Sequence, residues 1–381
     1  MTKKLFLLAA IGLILFEVLN VYFIMPMPGS QRMRSIDLAY FLYTWRWVFR
    51  VFFGLILLAT FFTSLKSSKW VTIIALVLVA GVTYAFNFVM AADAMFYQPE
   101  DFRILNARES KVEKDRLVIG VEHNGEAKAY PISLIGYHHQ VLDTLGGKPI
   151  MVTYCTVCRT GRVFEPIVNG KPEKFRLVGM DHFNAMFEDE TTKSWWRQAN
   201  GEAITGKLKG QTLSEMLSQQ TTVEQWLKLY PESKIMQPDP TFKEKYDSTA
   251  KYEKGKSKSD LTRTDSLSWK DKSWVVGIET GKGSKAFDWV RLQKEKVINA
   301  EVGDKSVVLV LGKDNKSFFA FERPDKSAIF TLKQDTLLLK DQKYDFNGKA
   351  TDSKSGSLKK IKAYQEFWHS WKTFHPATEK Y

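Results

Sequence analysis

The chain has 381 residues, enough for two or three structural units with cores of their own. Its formal net charge is +13, but the lysines are scattered among acidic residues and form no basic stripe, which argues against nucleic acid as a partner. Only two cysteines occur, Cys155 and Cys158, which excludes a fold that depends on a disulfide framework.

Residues 1–93 are predominantly apolar and predict an all-α transmembrane segment of about three helices. Each of three runs is close to the roughly 20 residues that a helix needs to cross the hydrocarbon layer, and we assign them to 5–25, 41–63 and 70–92. The middle run is the least apolar because it contains Arg46 and Arg50. A cleaved signal peptide is the alternative for the first run, because two lysines precede it.

Charges near the ends of these runs indicate an orientation. With the N terminus inside the cell, the excess of basic residues on the inner side is marginal. The acidic residues Asp93, Glu100 and Asp101 follow the third run and favour an outer location for the rest of the chain. We therefore expect a multi-pass protein of the inner cell membrane, with its C-terminal domain outside the cytoplasm. The lipid bilayer is its expected partner, and no protein partner is identified.

Polar side chains inside the apolar runs form a separate group. If the first two runs make an antiparallel hairpin, Glu17 lies at the depth of Arg46 or Arg50. Asn87 of the third run lies near the same level. Charged groups within a membrane are costly and usually paired. Two interpretations stay open: a polar site or relay within the membrane, or an ion pair that holds the helices together.

The rest of the chain contains an internal repeat. Residues 117–130 recur at 274–287, and the same offset relates Gly146 to Gly303. The second copy has no cysteine at the positions that match Cys155 and Cys158. We assign a first copy to 94–240, a polar linker to 241–272 and a second, degenerate copy to 273–381.

Short apolar runs alternate with turn sequences within each copy. Residues 117–121 and 127–130 flank a His-Asn-Gly sequence, which is typical of a hairpin. Residues 222–230 and 364–374 have the apolar spacing of a helix and stop before a proline. The expected fold class is a β-rich, duplicated α+β domain that follows the transmembrane helices.

Several motifs of the first copy occur together: Ala129-Tyr130-Pro131, His138 with Asp143 before Gly146-Gly147, Thr153-Tyr154-Cys155-Thr156-Val157-Cys158, and Asp189, Thr192, Ser194, Trp196 and Gln198 in the pattern D-x-x-T-x-S-x-W-x-Q. On these motifs, the stretch from about Arg116 to Asp239 resembles the bacterial domain-of-unknown-function family 3179. Thr156-Val157 replaces the usual Pro-Leu, and His139 stands where an acid is common. The resemblance implies an extracytoplasmic domain without an established activity.

Cys155 and Cys158 lie between two β-like runs. Because Arg159-Thr160-Gly161 indicates a tight turn rather than the start of a helix, the pair differs from the cysteines of thioredoxin-type enzymes and is typical of a metal knuckle. Two soft sulfurs with imidazoles suit Cu or Zn, as Cu(I) or Zn(II). The candidate metal ligands are Cys155, Cys158, His138, His139 and His182.

Other polar and aromatic side chains of the first copy are candidates for a cleft: Tyr130, Asp143, Tyr154, Asp189, Thr192, Ser194, Trp196 and Gln198. For the cluster around Asp189, the alternative is a capped turn with Trp196 in the core. Three functions stay open. The first is a membrane-anchored protein that binds a soft metal ion. The second is a thiol-disulfide oxidoreductase in which Cys155 attacks and Cys158 resolves, and the third is a non-catalytic envelope or interaction module.

Overall fold

The computed structural model describes residues 2–351 and 356–381. Its helices are α1 (Thr2–Tyr22), α2 (Ile36–Thr44), α3 (Arg46–Ser67), α4 (Lys69–Tyr84), α5 (Ala92–Met95), α6 (Ile132–His138), α7 (Val223–Leu229), α8 (Lys243–Glu253), α9 (Trp289–Glu295) and α10 (Trp368–Phe374). A π-helical turn, Ala85–Val89, continues α4, and short 3-10 turns occur at Ser30–Arg32 and Pro240–Phe242.

The strands of the first half of the chain are β1 (Ile104–Asn106), β2 (Leu117–His123), β3 (Glu126–Pro131), β4 (Gln140–Leu145), β5 (Lys148–Cys155), β6 (Thr160–Phe164), β7 (Ile167–Val168), β8 (Lys171–Pro172), β9 (Phe175–Asp181), β10 (Asn184–Asp189) and β11 (Trp195–Arg197). They are followed by β12 (Ala203–Thr205), β13 (Glu215–Met216), β14 (Ser218–Thr222), β15 (Lys234–Met236), β16 (Trp274–Thr280), β17 (Gly283–Asp288) and β18 (Val297–Val302). The last strands are β19 (Lys305–Leu311), β20 (Phe318–Glu322), β21 (Thr331–Lys333), β22 (Thr336–Leu339), β23 (Gln342–Tyr344), β24 (Tyr364–Phe367) and β25 (Glu379–Lys380).

Among the described residues, three helices are long and apolar enough to cross a membrane: Thr2–Tyr22, Arg46–Ser67 and Lys69–Val89. They confirm the predicted group of about three apolar helices and indicate association with a membrane. The second of them begins at Arg46, because α2 and α3 are separate helices, whereas the predicted run 41–63 begins within α2. The Arg46 guanidinium donates a 2.6 Å hydrogen bond to the Tyr43 carbonyl oxygen, which satisfies one of the carbonyl groups left over at the end of α2.

The chain divides into two compact units. The first contains the residues up to Tyr97 together with Glu173–Thr212. It therefore combines helices α1 to α5 with the sheet β12-β11-β10-β9. Residues Glu173–Thr212, which the sequence places in the first copy, thus belong to the same unit as the apolar helices.

Backbone and aromatic contacts join helices and sheet within this first unit. The N–H of Met180 donates a 2.7 Å hydrogen bond to the carbonyl oxygen of Ile24. A Cβ atom at Gly179 would lie 2.2 Å from the same oxygen, so only glycine permits this close approach of the two backbones. The Trp195 ring lies edge-on to the ring of Tyr40. The four-stranded sheet therefore packs directly on the chain that leaves the apolar helices.

The second compact unit consists of Gln98–Pro172 and Leu213–Tyr381. Its sheets have the strand orders β1-β15-β3-β2-β14, β13-β6-β5-β4, β24-β16-β17-β25, β18-β19-β20, β21-β22-β23 and β7-β8. Short helices lie between these strands. The prediction of a mixed α+β fold, rich in β strands and preceded by apolar helices, is confirmed.

The two halves of the second unit have the same order of strands around a central hairpin. In each half the hairpin, β2-β3 or β16-β17, pairs with one antiparallel strand, β14 or β24, and with one parallel strand, β15 or β25. The next helix places Trp226 over Gly120 and Trp371 over Gly277. A Cβ atom would lie 2.4 Å from the first indole and 2.2 Å from the second. Glycine is therefore required at the same place in both hairpins.

Residues 241–272, predicted as a polar linker, contain helix α8. Tyr246 and Tyr252 of this helix are buried. The Tyr246 hydroxyl lies 2.6 Å from Nε2 of His138, at the end of α6. Part of this segment is therefore packed against the rest of the unit. The buried tyrosines make these contacts, although the many charged residues around them are typical of an exposed linker.

Candidate functional site

Cys155 and Cys158 lie at the turn of the hairpin formed by β5 and β6, in which Cys155 pairs with Thr160. Arg159 completes the turn with a φ of 60°, in the left-handed region. The prediction of a tight turn, rather than the start of a helix, is confirmed. The pair therefore lacks the helix N-terminus that lowers the thiol pKa in enzymes of the thioredoxin type.

Neither cysteine forms a disulfide, and both are buried, with 1% of Cys155 and 0% of Cys158 exposed. Burial raises the pKa of Cys158 well above its ordinary value. A hydrogen bond with Cys155 and the charge that a Cys155 thiolate would carry raise this pKa further, whereas a hydrogen bond with the Ser370 hydroxyl lowers it. The two thiols are thus adjacent and hydrogen-bonded, and Cys158 is protonated at neutral pH.

A segment from the second half of the unit covers the cysteine turn. The N–H of Phe367, at the end of β24, donates to the Cys158 carbonyl oxygen. The Lys272 ammonium donates a 3.1 Å hydrogen bond to the carbonyl oxygen of Val157. Nε2 of His369 lies 3.1 Å from the same oxygen. The turn is therefore held by groups that are distant in the sequence.

Lys272 and His369 set the electrostatics beside the turn. Burial lowers the pKa of Lys272, while a thiolate at Cys158 or Cys155 would act in the opposite direction. Burial and the neighbouring charge of Lys272 lower the pKa of His369 to about 4. At neutral pH the imidazole is therefore uncharged, and the cation that acts on both sulfurs is the Lys272 ammonium.

A chain of hydrogen bonds extends from Cys158 to a buried ion pair. The Ser370 hydroxyl, which is hydrogen-bonded to Cys158, donates to Glu366 at 2.9 Å. The other oxygen of Glu366 accepts from Arg162 at 2.7 Å, and Arg162 also contacts Glu215 at 3.4 Å. The carboxylate beside the thiols is therefore neutralised by a guanidinium from the adjacent strand β6.

The structure does not bring the predicted imidazole ligands to the thiols. His138 contacts Tyr246, as described above, and Nδ1 of His139 lies 2.9 Å from the Tyr154 carbonyl oxygen. His182 belongs to the other compact unit. Within residues 2–351 and 356–381, no three His, Cys, Asp or Glu side chains converge where they could hold a metal ion. The predicted Cys-His metal site is not supported, because local hydrogen bonds engage these imidazoles.

The predicted cleft residues of the first copy do not form one group. The Tyr130 hydroxyl donates a 2.7 Å hydrogen bond to Asp143, whose two oxygens also bind the Lys128 ammonium at 3.0 and 3.1 Å. The Tyr154 hydroxyl lies elsewhere, 3.3 Å from that of Tyr252. Burial raises the pKa of Tyr130 well above its ordinary value and that of Tyr154 to about 12. Both phenols are therefore protonated, neutral hydrogen-bonding groups.

The cluster around Asp189 lies in the first compact unit. Its carboxylate accepts hydrogen bonds from the N–H groups of Thr192 and Ser194. It also accepts a 2.9 Å hydrogen bond from the indole N–H of Trp196. The amide oxygen of Gln198 accepts a hydrogen bond from the neighbouring strand β10. This geometry matches a capped turn with a core tryptophan, and the cysteines belong to the other unit.

Glu17, Arg50 and Asn87 form a network among the apolar helices. Arg50 binds both carboxylate oxygens of Glu17, at 2.7 and 2.9 Å. The Asn87 amide donates to Glu17 at 2.8 Å and accepts from Arg50 at 2.6 Å. Arg46 instead contacts Tyr43, as noted above. The network is a closed ion pair with one amide, so its geometry favours the role of holding the helices together.

Sequence reasoning missed four side chains around the thiols: Lys272, Glu366, His369 and Ser370. Three of them lie in the second half, the degenerate copy without cysteines, and Lys272 lies at the end of the predicted linker. The one signal was the sequence Trp368-His369-Ser370-Trp371. In this sequence a histidine and a serine, both able to donate or accept a proton, lie between two tryptophans.

The model of a family of proteins of unknown function, DUF3179, matches residues 98–378. The match is wider than the predicted resemblance from about Arg116 to Asp239, and it includes both halves of the second unit. No curated protein and no solved structure matches the chain. The chain therefore belongs to the DUF3179 family, whose function is not established.

Proposed function

We propose that this chain is a membrane-anchored thiol-disulfide oxidoreductase whose reactive group is the pair Cys155 and Cys158. The observation that supports the proposal best is the hydrogen bond between two thiols that lie at one turn and form no disulfide. Two sulfurs that are already adjacent need little movement to reach the geometry of a disulfide bond. If the two cysteines were only part of the hydrophobic core, they would not need charged or proton-donating side chains beside them.

The proposed reaction is exchange with a disulfide of a partner protein. The Cys155 thiolate attacks one partner sulfur, and the other partner sulfur leaves as a thiolate. The Cys158 thiolate then attacks Cys155 in the mixed disulfide and releases the second partner sulfur. The chain loses two protons and two electrons, and the partner gains both, so the exchange balances.

The neighbours of the pair support this assignment of roles. We assign the attack to Cys155, because burial and the adjacent Cys155 raise the pKa of Cys158 and keep its proton there. Lys272 stabilises a thiolate at either sulfur by its positive charge. His369 is neutral and lies 3.1 Å from the Lys272 ammonium, so it adds no second positive charge beside the sulfurs. Ser370 is a positioning residue for Cys158.

We place the thiol domain outside the cytoplasm, with the apolar helices in the inner cell membrane. Disulfides form and persist outside the cytoplasm. The acidic residues Asp93, Glu100 and Asp101, which follow the third apolar helix, favour this orientation. The lipid bilayer and an extracytoplasmic disulfide protein are then the partners.

We also propose that the halves of the second unit are diverged copies of one ancestral unit. Their common strand order supports this origin, as do two equivalent ion pairs. Lys148 binds Glu165 at 2.9 Å, and Lys305 binds Glu322 at 3.0 Å. The second copy has no thiols, and its contribution is to enclose those of the first.

Binding of Cu(I) by the two thiolates is the second candidate function. The adjacency of two soft sulfurs favours it, because Cu(I) prefers thiolate ligands. Zn(II) is less favoured, since it takes four protein ligands in structural sites and the part of the chain that the structure describes offers no group of three ligands. In this second candidate function, Cys155 and Cys158 remain metal ligands, whereas the predicted histidines are not ligands.

One preparation tests the proposal. The full chain in detergent is reduced without oxygen, exposed to oxidised glutathione and then alkylated for mass analysis. We expect an intramolecular disulfide in the parent, and a stable mixed disulfide with glutathione in Cys158→Ser. Thr156→Ser, in the same turn, is the matched control and should react like the parent. Thiols that stay unreactive until the protein unfolds would contradict the proposal, and stoichiometric Cu(I) that blocks alkylation would favour the second candidate.

A further inference from the structure

A second site lies in the same compact unit, in a cavity of about 440 Å³. Arg159 and Leu117 of the first half line it, with Trp274, Trp289, Gln293 and Gln365 of the second half. This volume is within the range of small-molecule sites in proteins. The cavity does not include Cys155 or Cys158 among its lining residues, so its ligand can be considered independently of thiol chemistry.

Arg159 is the distinctive group of this cavity. It is 1% exposed, and its guanidinium donates to three neutral acceptors. These are the side-chain oxygen of Gln365 at 3.0 Å, the Glu253 carbonyl oxygen at 3.0 Å and the Tyr252 carbonyl oxygen at 3.4 Å. A guanidinium has five N–H groups, so these bonds leave donors for another acceptor. A buried charge is costly unless an opposite charge compensates it.

The acidic side chains around the cavity already have partners. Glu253 binds Arg116 at 3.1 Å, Asp115 binds Lys316 at 3.5 Å, and Asp314 accepts hydrogen bonds from the hydroxyls of Thr222 and Ser317. Among the ion pairs of the described residues, Arg159 has no carboxylate, in contrast to Arg116 here and Arg162 on the adjacent strand. The Arg159 charge acts on the Glu253 carboxylate but makes no direct ion pair with it, so an anionic ligand would complement this guanidinium.

The walls of the cavity are apolar and aromatic. The Arg159 guanidinium lies over the Trp274 ring, 3.5 Å from its centroid, and Trp289 is mostly buried beside it. We propose that the cavity binds a small organic carboxylate, with the carboxylate on Arg159 and the apolar part against Trp289. A carboxylate matches the forked donors of arginine in two parallel hydrogen bonds.

Equilibrium dialysis of the full chain in detergent tests this proposal with benzoate as the probe. Benzyl alcohol lacks the charge and inorganic phosphate lacks the apolar part, so each should bind at least tenfold more weakly than benzoate. Arg159→Gln should lower benzoate affinity at least tenfold. Tighter binding of phosphate than of benzoate would overturn the carboxylate assignment, and no saturable binding of benzoate would overturn the site.

A pair of substitutions at the rim protects the test from misfolding of the Arg159 variant. Gln293 is exposed on α9 and lines the cavity, so Gln293→Trp fills the opening without disturbing buried contacts. We expect Gln293→Trp to abolish benzoate binding and Gln293→Ala to leave it within twofold of the parent. Equal binding in Gln293→Trp and Gln293→Ala would show that the probe binds elsewhere. Thiol reactivity should be the same in both, which separates this outcome from failure of the proposed redox function.

Discussion

Phe367 and Cys158 are joined by a backbone hydrogen bond of 2.8 Å between the N–H of the first and the carbonyl oxygen of the second. Phe367 ends a strand in the half that has no cysteines, and Cys158 lies in the turn of the half that has both. The three residues after this contact include His369 and Ser370, which surround the thiols. The thiol site therefore depends on both halves of the unit, although only one of them contributes sulfur.

Ser370 should control the reactivity of Cys158. Its hydroxyl lowers the pKa of Cys158, so Ser370→Ala should raise that pKa further and slow alkylation severalfold at pH 8. The rate constant for iodoacetamide, measured in the Cys155→Ser background, checks this expectation. Thr373→Ala on the same helix removes an exposed hydroxyl and serves as control. Equal rates in all three proteins would exclude a role for Ser370 in positioning the thiol.

Two buried histidines should make the protein sensitive to mild acid. Burial lowers the pKa of His139 and of His369 from 6.5 to about 4. The folded state thus prefers the uncharged imidazole, and each contribution to the free energy of unfolding is full above pH 6.5. It is lost as the pH falls toward 4, because the unfolded state then binds protons that the folded state does not.

Urea unfolding between pH 7 and 4 measures this effect. The loss should reach a few kcal/mol per histidine, since one pKa unit corresponds to about 1.4 kcal/mol. His139→Asn, which tolerates the left-handed backbone, and His369→Gln should each flatten the profile below pH 6.5. Profiles that run parallel to the parent over this interval would show that neither imidazole is held neutral by the fold.

The ion pair between Glu17 and Arg50 should be necessary for the helical part to accumulate. Glu17→Leu leaves a buried guanidinium without its carboxylate, and loss of one partner of a buried pair costs about 3–5 kcal/mol. We expect Glu17→Leu and Arg50→Leu to lower the yield of folded protein, and the double variant to recover much of it. Fluorescence-detected size exclusion in detergent measures the yield. Single variants that accumulate normally would rule out this structural role.

Gly120 and Gly277 should respond alike to substitution, because each lies under a tryptophan at the same place in its half. Gly120→Ala and Gly277→Ala force a Cβ atom into the indole of Trp226 or Trp371. Overpacking of this kind costs about 1–3 kcal/mol. Gly281→Ala is the control, because nothing lies within 4 Å of a Cβ atom there. Thermal unfolding checks the prediction, which fails if either hairpin tolerates alanine as well as the control does.

Local sequence patterns predicted the helices and turns whose conformation depends on neighbouring residues in the chain. Apolar length identified three membrane-sized helices, and Arg159-Thr160-Gly161 identified the turn after the cysteines. The second predicted run starts within α2 because hydropathy averaged over a window does not register the break between α2 and α3, where Arg46 binds the Tyr43 carbonyl oxygen. Helix α8 escaped detection for a similar reason, since its two buried tyrosines are surrounded by charged residues.

The surroundings of the thiols could not be predicted in the same way. His138 and His139 are close to Cys155 in the sequence, and their proximity suggested metal ligands. The groups that do surround the pair, such as Lys272 and His369, are more than 100 positions away. They reach the pair because β24 and α10 lie against the hairpin of the other half, and no short motif encodes that packing.

The reduction potential of the cysteine pair tests the central claim most directly. The full chain is equilibrated in detergent with graded mixtures of reduced and oxidised dithiothreitol or glutathione, and the remaining thiols are counted by alkylation and mass. The proposed function predicts a reversible two-electron transition, with Cys155 and Cys158 oxidised together at a potential in the range of known thiol-disulfide oxidoreductases. Thiols that remain reduced across the whole series, or that oxidise only after unfolding, would contradict it.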